Sequence, residues 1–268
     1  MKRILTLAVA GLLCFNAVAT NKNKQPQPVV TPSTVVLNQT SNQILVDHNA
    51  DRVQSMASIT KLMTAMVVLD HTTDLQKQIR LKAPWNGKRN YTVSELLDLA
   101  LIRSDNHAAE LLSKNFTSNR KEFISEMNRK ALSLGMLSAQ FVDPTGIGAD
   151  NSATATDIAR MVIAAGQYPF IRRSSNATMD LQSAAKGRPR TVQVNNTNKD
   201  ILTEFDTIVV SKTGTTTRAG KCLAMLVEKA GQVYAVVILG EPNKIKRDNR
   251  ARAIIQESLT FKEVVSSL

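Results

Sequence analysis

The order of β-branched and helical runs constrains this chain more than any other feature. Two short strand-like runs, TVVLN from Thr34 and QILVD from Gln43, stand near the start, joined by the turn-forming Gln39-Thr40-Ser41-Asn42. Four more, TVQVNN, DTIVVS, KCLAMLVE and QVYAVVILG, fill the last third, with Ala230-Gly231 as a hairpin turn between the final two. Helical periodicity lies between. A helix is predicted from about Ser58 to His71, with Leu62, Met66 and Leu69 on one face. Thr92 and Glu95 form a capping box that starts YTVSELLDLALI. HAAELLSKNF, EFISEMNRKALSLGM and TDIARMVIAAG follow, the last closed by Gly166 as a C-cap, and a final helix is expected from roughly Lys244 to Ser266. Strand pair, helical middle, strand cluster and closing helix define an α+β layout in which the N-terminal strands are free to join the later sheet. There is no internal repeat.

The N-terminus indicates the compartment. Lys2 and Arg3 precede an apolar run from Ile4 to Phe15, and Ala17-Val18-Ala19 places small residues at −3 and −1 of a cleavage site. This is the pattern of a secretory signal peptide over residues 1–19. The run is too short to serve as a membrane anchor, and Asn16 interrupts it. A lipoprotein reading through Cys14 is weaker, because Leu13 is bulky where a small residue belongs. No integral membrane segment is expected after cleavage. Residues 20–33, TNKNKQPQPVVTPS, read as a flexible leader, and residues 34–268 as one domain large enough for a substantial core. Losing Lys2 and Arg3 lowers the formal charge from +12 to +10. An exported basic protein suits an anionic partner, the cell wall or a membrane surface. Nucleic acid is not expected, since aromatics are only 4% of the chain and no recognition motif is present. Cys222 remains the single cysteine of the processed chain, so no internal disulfide can form, and its apolar surroundings mark it as a core thiol.

Three short motifs carry the chemistry: Ser58-Ile59-Thr60-Lys61, Ser104-Asp105-Asn106 and Lys212-Thr213-Gly214. S-x-x-K, S-D-N and K-T-G in this order mark penicillin-binding proteins and class A β-lactamases. Singly the first two are weak, since S-x-x-K recurs at Ser118/Lys121 and Ser183/Lys186, and S-x-N at Ser113/Asn115 and Ser174/Asn176. Context selects Ser58, which opens an amphipathic helix, and K-T-G occurs once, at the end of an apolar strand.

The set is physically coherent. A serine hydroxyl needs a neighbouring base to become a nucleophile, and residues i and i+3 share a helix face, so Lys61 can hydrogen-bond Ser58 Oγ. Burial and the nearby Lys212 would hold Lys61 neutral, as a base must be. Ser104 can relay a proton to a leaving amine, and Asn106 can orient Lys61 and a substrate amide. Lys212 and Thr213 offer a charge and a hydroxyl to a terminal carboxylate. Gly214 lets a substrate lie along the strand as an added edge. The N–H groups of Ser58 and Thr215 would form an oxyanion hole.

From Thr34 to Phe261 the chain resembles the serine D-Ala-D-Ala carboxypeptidase and endopeptidase family, the low-molecular-weight penicillin-binding proteins. MASITKLMTAMVVLD, FVDPTGIGADNSATATDIA, NNTNK and SKTGTTTRAGKCLAML carry the likeness, and the last two are most similar to the single-domain periplasmic D,D-endopeptidases. The resemblance implies a β-lactamase/transpeptidase-like α+β fold, a five-stranded antiparallel sheet flanked by helices with a helical subdomain. It implies peptidoglycan peptides as substrates and β-lactams as covalent inhibitors. It assigns Ser58, Lys61 and Ser104 to catalysis, and Asn106, Lys212, Thr213, Gly214 and Thr215 to substrate binding. Met56 departs from the proline that many relatives carry there, which predicts a local backbone difference.

Rival readings are separable. Ser58 as a plain helix cap is the bland alternative. Asp143-Pro144-Thr145-Gly146 reads as a structural turn, His107 as a helix-start residue, and His48 and His71 show no pattern. Three histidines without an H-E-x-x-H cluster speak against zinc, and no metal or other cofactor is expected. No G-x-S-x-G elbow supports a Ser-His-Asp triad. A β-lactamase would need a deacylating glutamate, and no E-x-x-x-N pattern lies between Ser104 and Lys212. A non-catalytic basic wall-binding protein would not need Ser58, Lys61, Ser104, Asn106 and Lys212 intact. Endopeptidase and carboxypeptidase activity use the same motifs and stay open at this level.

Overall fold

The structure, a computed structural model, describes residues 31–85, 88–117, 119–148, 150–183 and 190–258. The expected signal peptide, nearly all of the leader and the predicted helix beyond Ser258 lie outside the described residues. In chain order the elements are β1 (Ser33–Asn38), β2 (Ile44–His48), β3 (Gln54–Ser55), a 3₁₀ turn (Ala57–Ile59), α1 (Thr60–His71), β4 (Gln78–Trp85) and β5 (Lys88–Thr92). The helical middle holds α2 (Val93–Ile102), α3 (Asn106–Phe116), α4 (Arg120–Ser133), β6 (Ser152–Ala153), α5 (Ala155–Ala165) and α6 (Pro169–Asn176). Then come β7 (Met179–Ser183), β8 (Arg190–Val194), α7 (Lys199–Leu202), β9 (Ile208–Thr216), β10 (Gly220–Lys229), β11 (Gln232–Glu241) and α8 (Lys244–Ala253), which runs into a π-helical turn, Ile254–Ser258.

Five strands form one antiparallel sheet in the order β2-β1-β11-β10-β9. The N-terminal pair thus completes the C-terminal cluster, as the layout left it free to do. Ala230 and Gly231 both take positive φ, 49° and 71°, and close the β10–β11 hairpin. Alternation along the strands divides the core. Val35, Leu37, Val237, Leu239, Ala224 and Leu226 face α1 and α5, while Val36, Val236, Ile238, Leu223 and Met225 face α8. TVQVNN forms a strand, but β8 pairs with β7 in a separate ribbon rather than joining the large sheet.

Two helices differ from expectation. Helix α1 is buried at every position from Thr60 to Val68, so it is not amphipathic. It is the central helix, enclosed by α2, α3, α4 and α5, and needs apolar groups all round. Helix α4 stops at Ser133, because Gly135 turns the chain with φ 71° and ends the apparent helical run early. The Thr92–Glu95 capping box forms as predicted. Gly166 also occupies its C-cap, yet with an ordinary φ of −64°. What demands glycine there is packing, since a Cβ would stand 2.4 Å from Leu226 Cδ2.

One buried asparagine ties the helical middle to α1. Asn151 Oδ1 accepts from the backbone N–H groups of Val142 and Asp143, and its Nδ2 donates to Thr60 Oγ1 and to the Asp143 carbonyl. Met56 N–H donates to the Asn151 carbonyl at 3.3 Å, a bond that a proline at this position would lack. Asn151→Ala strands several buried polar groups at once and should cost about 2–4 kcal/mol. Urea denaturation checks this, and a loss under 1 kcal/mol would contradict the tie.

Candidate active site

The site forms where the chain enters α1. Ala57 has φ 49°, a left-handed conformation unusual for a residue with a Cβ. It turns the backbone so that Ser58 sits on the 3₁₀ turn just ahead of the helix. Gly146, with φ 79°, packs so tightly against this turn that a Cβ would lie 1.9 Å from the Ala57 carbonyl oxygen. Ser58 is not a helix cap, for neither the 3₁₀ turn nor α1 has a side-chain cap bond. Its Oγ instead receives Lys61 Nζ at 2.8 Å.

Lys61 is fully enclosed and spends all three N–H donors. They go to Ser58 Oγ, to Asn106 Oδ1 at 2.7 Å and to the Thr145 carbonyl at 2.6 Å. Burial lowers its pKa from 10.5 to about 7, against the opposing pull of Asp143 and Asp105. Lys212 enters from β9, buried as deeply, and among the described residues it donates only to the Thr213 carbonyl. Its pKa lies well below 10.5, first through burial and second through the Lys61 ammonium nearby. The lysine–lysine repulsion thus acts on Lys212, whereas Lys61 is depressed by burial and not, as expected, by Lys212.

The other motif residues converge on the same place. Asp105 caps α3 by accepting from Ala108 N–H, which sets Asn106 as the first helical residue, facing Lys61. Ser104 precedes them at φ 61° and lines the cleft, with no hydrogen bond to another described residue. Gly214 is pressed against the Ser58 turn, where a Cβ would meet the Met56 carbonyl at 2.8 Å and Ser58 N at 3.1 Å. Because β9 is the sheet edge, its outward backbone groups face the cleft. Ser58, Ser104, Thr213, Gly214 and Thr215 all line one cavity of about 290 Å³.

Comparison with known proteins accords with this geometry. The profile of the D-alanyl-D-alanine carboxypeptidase family, peptidase family S11, matches residues 19–243. The chain belongs to that family. It is 35% identical over 248 residues to the D-alanyl-D-alanine endopeptidase of Escherichia coli K12, covering 88% of this chain and 79% of that one. It is 33% identical to the D-alanyl-D-alanine endopeptidase of Pseudomonas aeruginosa, covering 83% and 77%. A D-alanyl-D-alanine carboxypeptidase of Bacillus subtilis is 23% identical over 92% of this chain and 68% of its own. The fold matches the DD-transpeptidase of Streptomyces K15 with a TM-score of 0.77, 23% identity and coverage of 88% and 99%. It also matches cefotaxime-bound penicillin-binding protein D2 of Listeria monocytogenes, with a TM-score of 0.74, 25% identity and coverage of 85% and 96%.

In this S11 peptidase the sequence reading missed several cleft residues. The Thr145 carbonyl belongs to the turn read as structural, and no side-chain signal marks a carbonyl. That turn is held by Asp143 Oδ1, which accepts from Thr145 N–H, Thr145 Oγ1 and Gly146 N–H. Thr197 lines the cleft and accepts from Thr213 Oγ1 at 2.7 Å, set there by the NNTNK turn. Its signal was the motif itself, in which Asn196 and Asn198 hold the turn to Ser175 and Ser211. Lys221, Lys244 and Arg247 also line the cavity, and only the cross-strand register of Lys221 with Thr215 was in principle readable. Among the competing motifs, Ser113 bonds the Glu110 carbonyl and Ser174 bonds Asp98, both structural ties. His107 lies at the start of α3, stacked edge-on against Trp85. Cys222 is a buried thiol whose pKa burial raises to about 11.

Carbon-13 labelling of the lysine ε-carbons should reveal one resonance titrating near pH 7 and absent from Lys61→Met. A Lys61 resonance that titrates only above pH 9 would refute the burial argument.

Proposed function

We propose that this protein is an exported serine D,D-peptidase of the cell wall that forms an acyl-enzyme on Ser58 and cuts peptide cross-links. The single observation carrying this reading is the Lys61 ammonium group, bonded at once to Ser58 Oγ, Asn106 Oδ1 and the Thr145 carbonyl, with its pKa lowered to about 7. A lysine so placed is neutral in about half of the molecules at pH 7, and neutral Lys61 can take the Ser58 proton. Ser58 Oγ then bonds the D-Ala carbonyl carbon, and the N–H groups of Ser58 and Thr215 hold the resulting oxyanion. Lys61 returns the proton through the Ser104 hydroxyl to the leaving nitrogen as the C–N bond breaks. Water attacks the ester, gives a proton to Lys61 and restores Ser58. Asn106 keeps Lys61 aimed throughout.

Lys212 and Thr213 receive the carboxylate of the leaving residue. Lys212 has no acidic partner of its own among the described residues, so an arriving carboxylate supplies the missing counter-charge and raises its pKa. Cross-link cleavage is favoured over D-alanine release because relatives named endopeptidases are 33–35% identical, against 23% for the carboxypeptidase. Covalent capture by β-lactams follows from the same acylation chemistry, and the Listeria relative is described with cefotaxime and with ampicillin bound. We assign export to residues 1–19 as a signal peptide, which places the mature protein in the periplasm or against the wall, with residues 34–268 as the peptidase domain.

Labelled penicillin should attach to the peptide containing Ser58 and leave Ser58→Ala unlabelled. Lys61→Ala should remain folded while acylating several orders of magnitude more slowly. Full labelling of folded Ser58→Ala would end the assignment. Incubation with muropeptides of known linkage, read by mass spectrometry, should show dimers converted to monomers with little D-alanine released from pentapeptides. Dominant D-alanine release would make the protein a carboxypeptidase with the same Ser58 machinery.

A further inference from the structure

The end of the cleft that faces α8 holds more cationic side chains than one carboxylate requires. Lys221, Lys244 and Arg247 line it beside Thr213 and Thr215. Most of this charge is already balanced within the protein. Arg247 Nε bonds Asp248 Oδ1 at 2.8 Å, and both side chains are buried. Lys244 lies between Asp200, at 2.5 Å, and Asp248. Nearby, Arg250 takes Glu241 at 2.5 Å.

Lys221 stands apart. It is half-buried on the cleft wall, and its side chain makes no hydrogen bond or ion pair with any described residue. Its position is set by the sheet. On β10 it pairs with Thr215 of β9 on one side and Glu241 of β11 on the other. Direct cross-strand partners share a face, and Thr213 and Thr215 alternate onto that same face. The row therefore runs from the proposed carboxylate and oxyanion groups straight to Lys221. Glu241, the acid in this row, is occupied by Arg250, so nothing in the row neutralises Lys221. An unpaired lysine on a flexible four-carbon stem can reach for a ligand anion.

The size of the cavity points the same way. The cleft offers about 290 Å³, while free D-alanine has six heavy atoms and a single carboxylate. A neighbouring stem peptide brings the carboxylate at its own scissile D-centre and a further one from the acidic residue earlier in the stem.

We propose that Lys221 recognises a second carboxylate, carried by the leaving peptide beyond the one at the scissile residue, and so selects a multiply anionic leaving group over free D-alanine. This rests on the D,D-peptidase reading above. Lys212 and Thr213 serve both reactions, whereas Lys221 serves the cleavage of cross-links.

The test compares wild type with Lys221→Gln and Lys221→Glu on three substrates. These are a cross-linked muropeptide dimer, the same dimer amidated at the acidic residue of the leaving stem, and a monomeric pentapeptide. Circular dichroism melts verify the fold of each variant. Lys221→Gln should lower the ratio of dimer cleavage to D-alanine release about tenfold, mainly through KM, and Lys221→Glu should lower it further. The amidated dimer should lose most of this sensitivity. A ratio that does not move, or an equal loss on the dimer and its amidated form, overturns the proposal. A parallel measurement needs no turnover: calorimetric binding of the intact dimer to Ser58→Ala and to Ser58→Ala with Lys221→Gln. Weaker binding of the unmodified dimer alone supports the second-carboxylate contact even if acylation at Ser58 fails, and equal binding refutes it.

Discussion

A single ammonium group organises the molecule. Lys61 Nζ has three donors, and the structure supplies three acceptors from three separate elements: the turn before α1, the start of α3, and the 143–146 turn. Each acceptor has its own support. Ala57 adopts φ 49° to present Ser58, Asp105 caps α3 beneath Asn106, and Asp143 Oδ1 gathers three donors to fix the Thr145 carbonyl. A buried lysine tolerates no slack, because an unpaired N–H in that setting costs far more than the net value of the bond it lost. The demand for full satisfaction explains why so many side chains around α1 serve to hold backbone.

Sheet and helices cooperate through the same point. Thr64 Oγ1 donates to the Pro144 carbonyl and Thr60 Oγ1 to the Ala57 carbonyl, so the first turns of α1 are bonded to the two loops flanking Ser58. From the other side β9 closes in, and Gly214 is bare because the Ser58 turn occupies the space of a side chain. The NNTNK turn then joins β9 to the end of α2, with Thr197 N–H on the Ile102 carbonyl and Asn198 on Ser211. Ser104 and Thr213, distant in sequence, become neighbours across the cleft by this tie.

The sequence disclosed the motifs and the sheet, for physical reasons. The long β-branched runs of β10 and β11 are buried on both faces, and the Ala230-Gly231 turn has few alternatives. The capping box at Thr92 is a local event and was equally legible. Local pattern failed where tertiary context decides. The one-face reading of α1 missed that four helices share its surroundings, and the extent of α4 was overrun because Gly135 reverses the chain within an apolar run. The β8 run had strand chemistry without any mark to separate it from the large sheet. In the site, side chains with recognisable chemistry were found, while Thr145 was missed because it contributes a carbonyl. Arg247 was missed because α8 reaches the cleft only through the way it lies across β10 and β11.

Two lysines buried beside each other have a cost outside chemistry. In the unfolded chain Lys61 would hold its proton up to pH 10.5, whereas in the folded protein it releases it near 7. Between those values the unfolded state binds more protons, so this group opposes folding throughout the neutral range and relents only as the medium turns alkaline. The shift corresponds to a penalty on the order of 5 kcal/mol at low pH. Lys212, pushed the same way, adds to it. Such a fold must be over-built elsewhere, and if the proposed roles of Lys61 and Lys212 hold, chains freed from that chemistry should drift toward apolar residues at both positions and gain stability as they do.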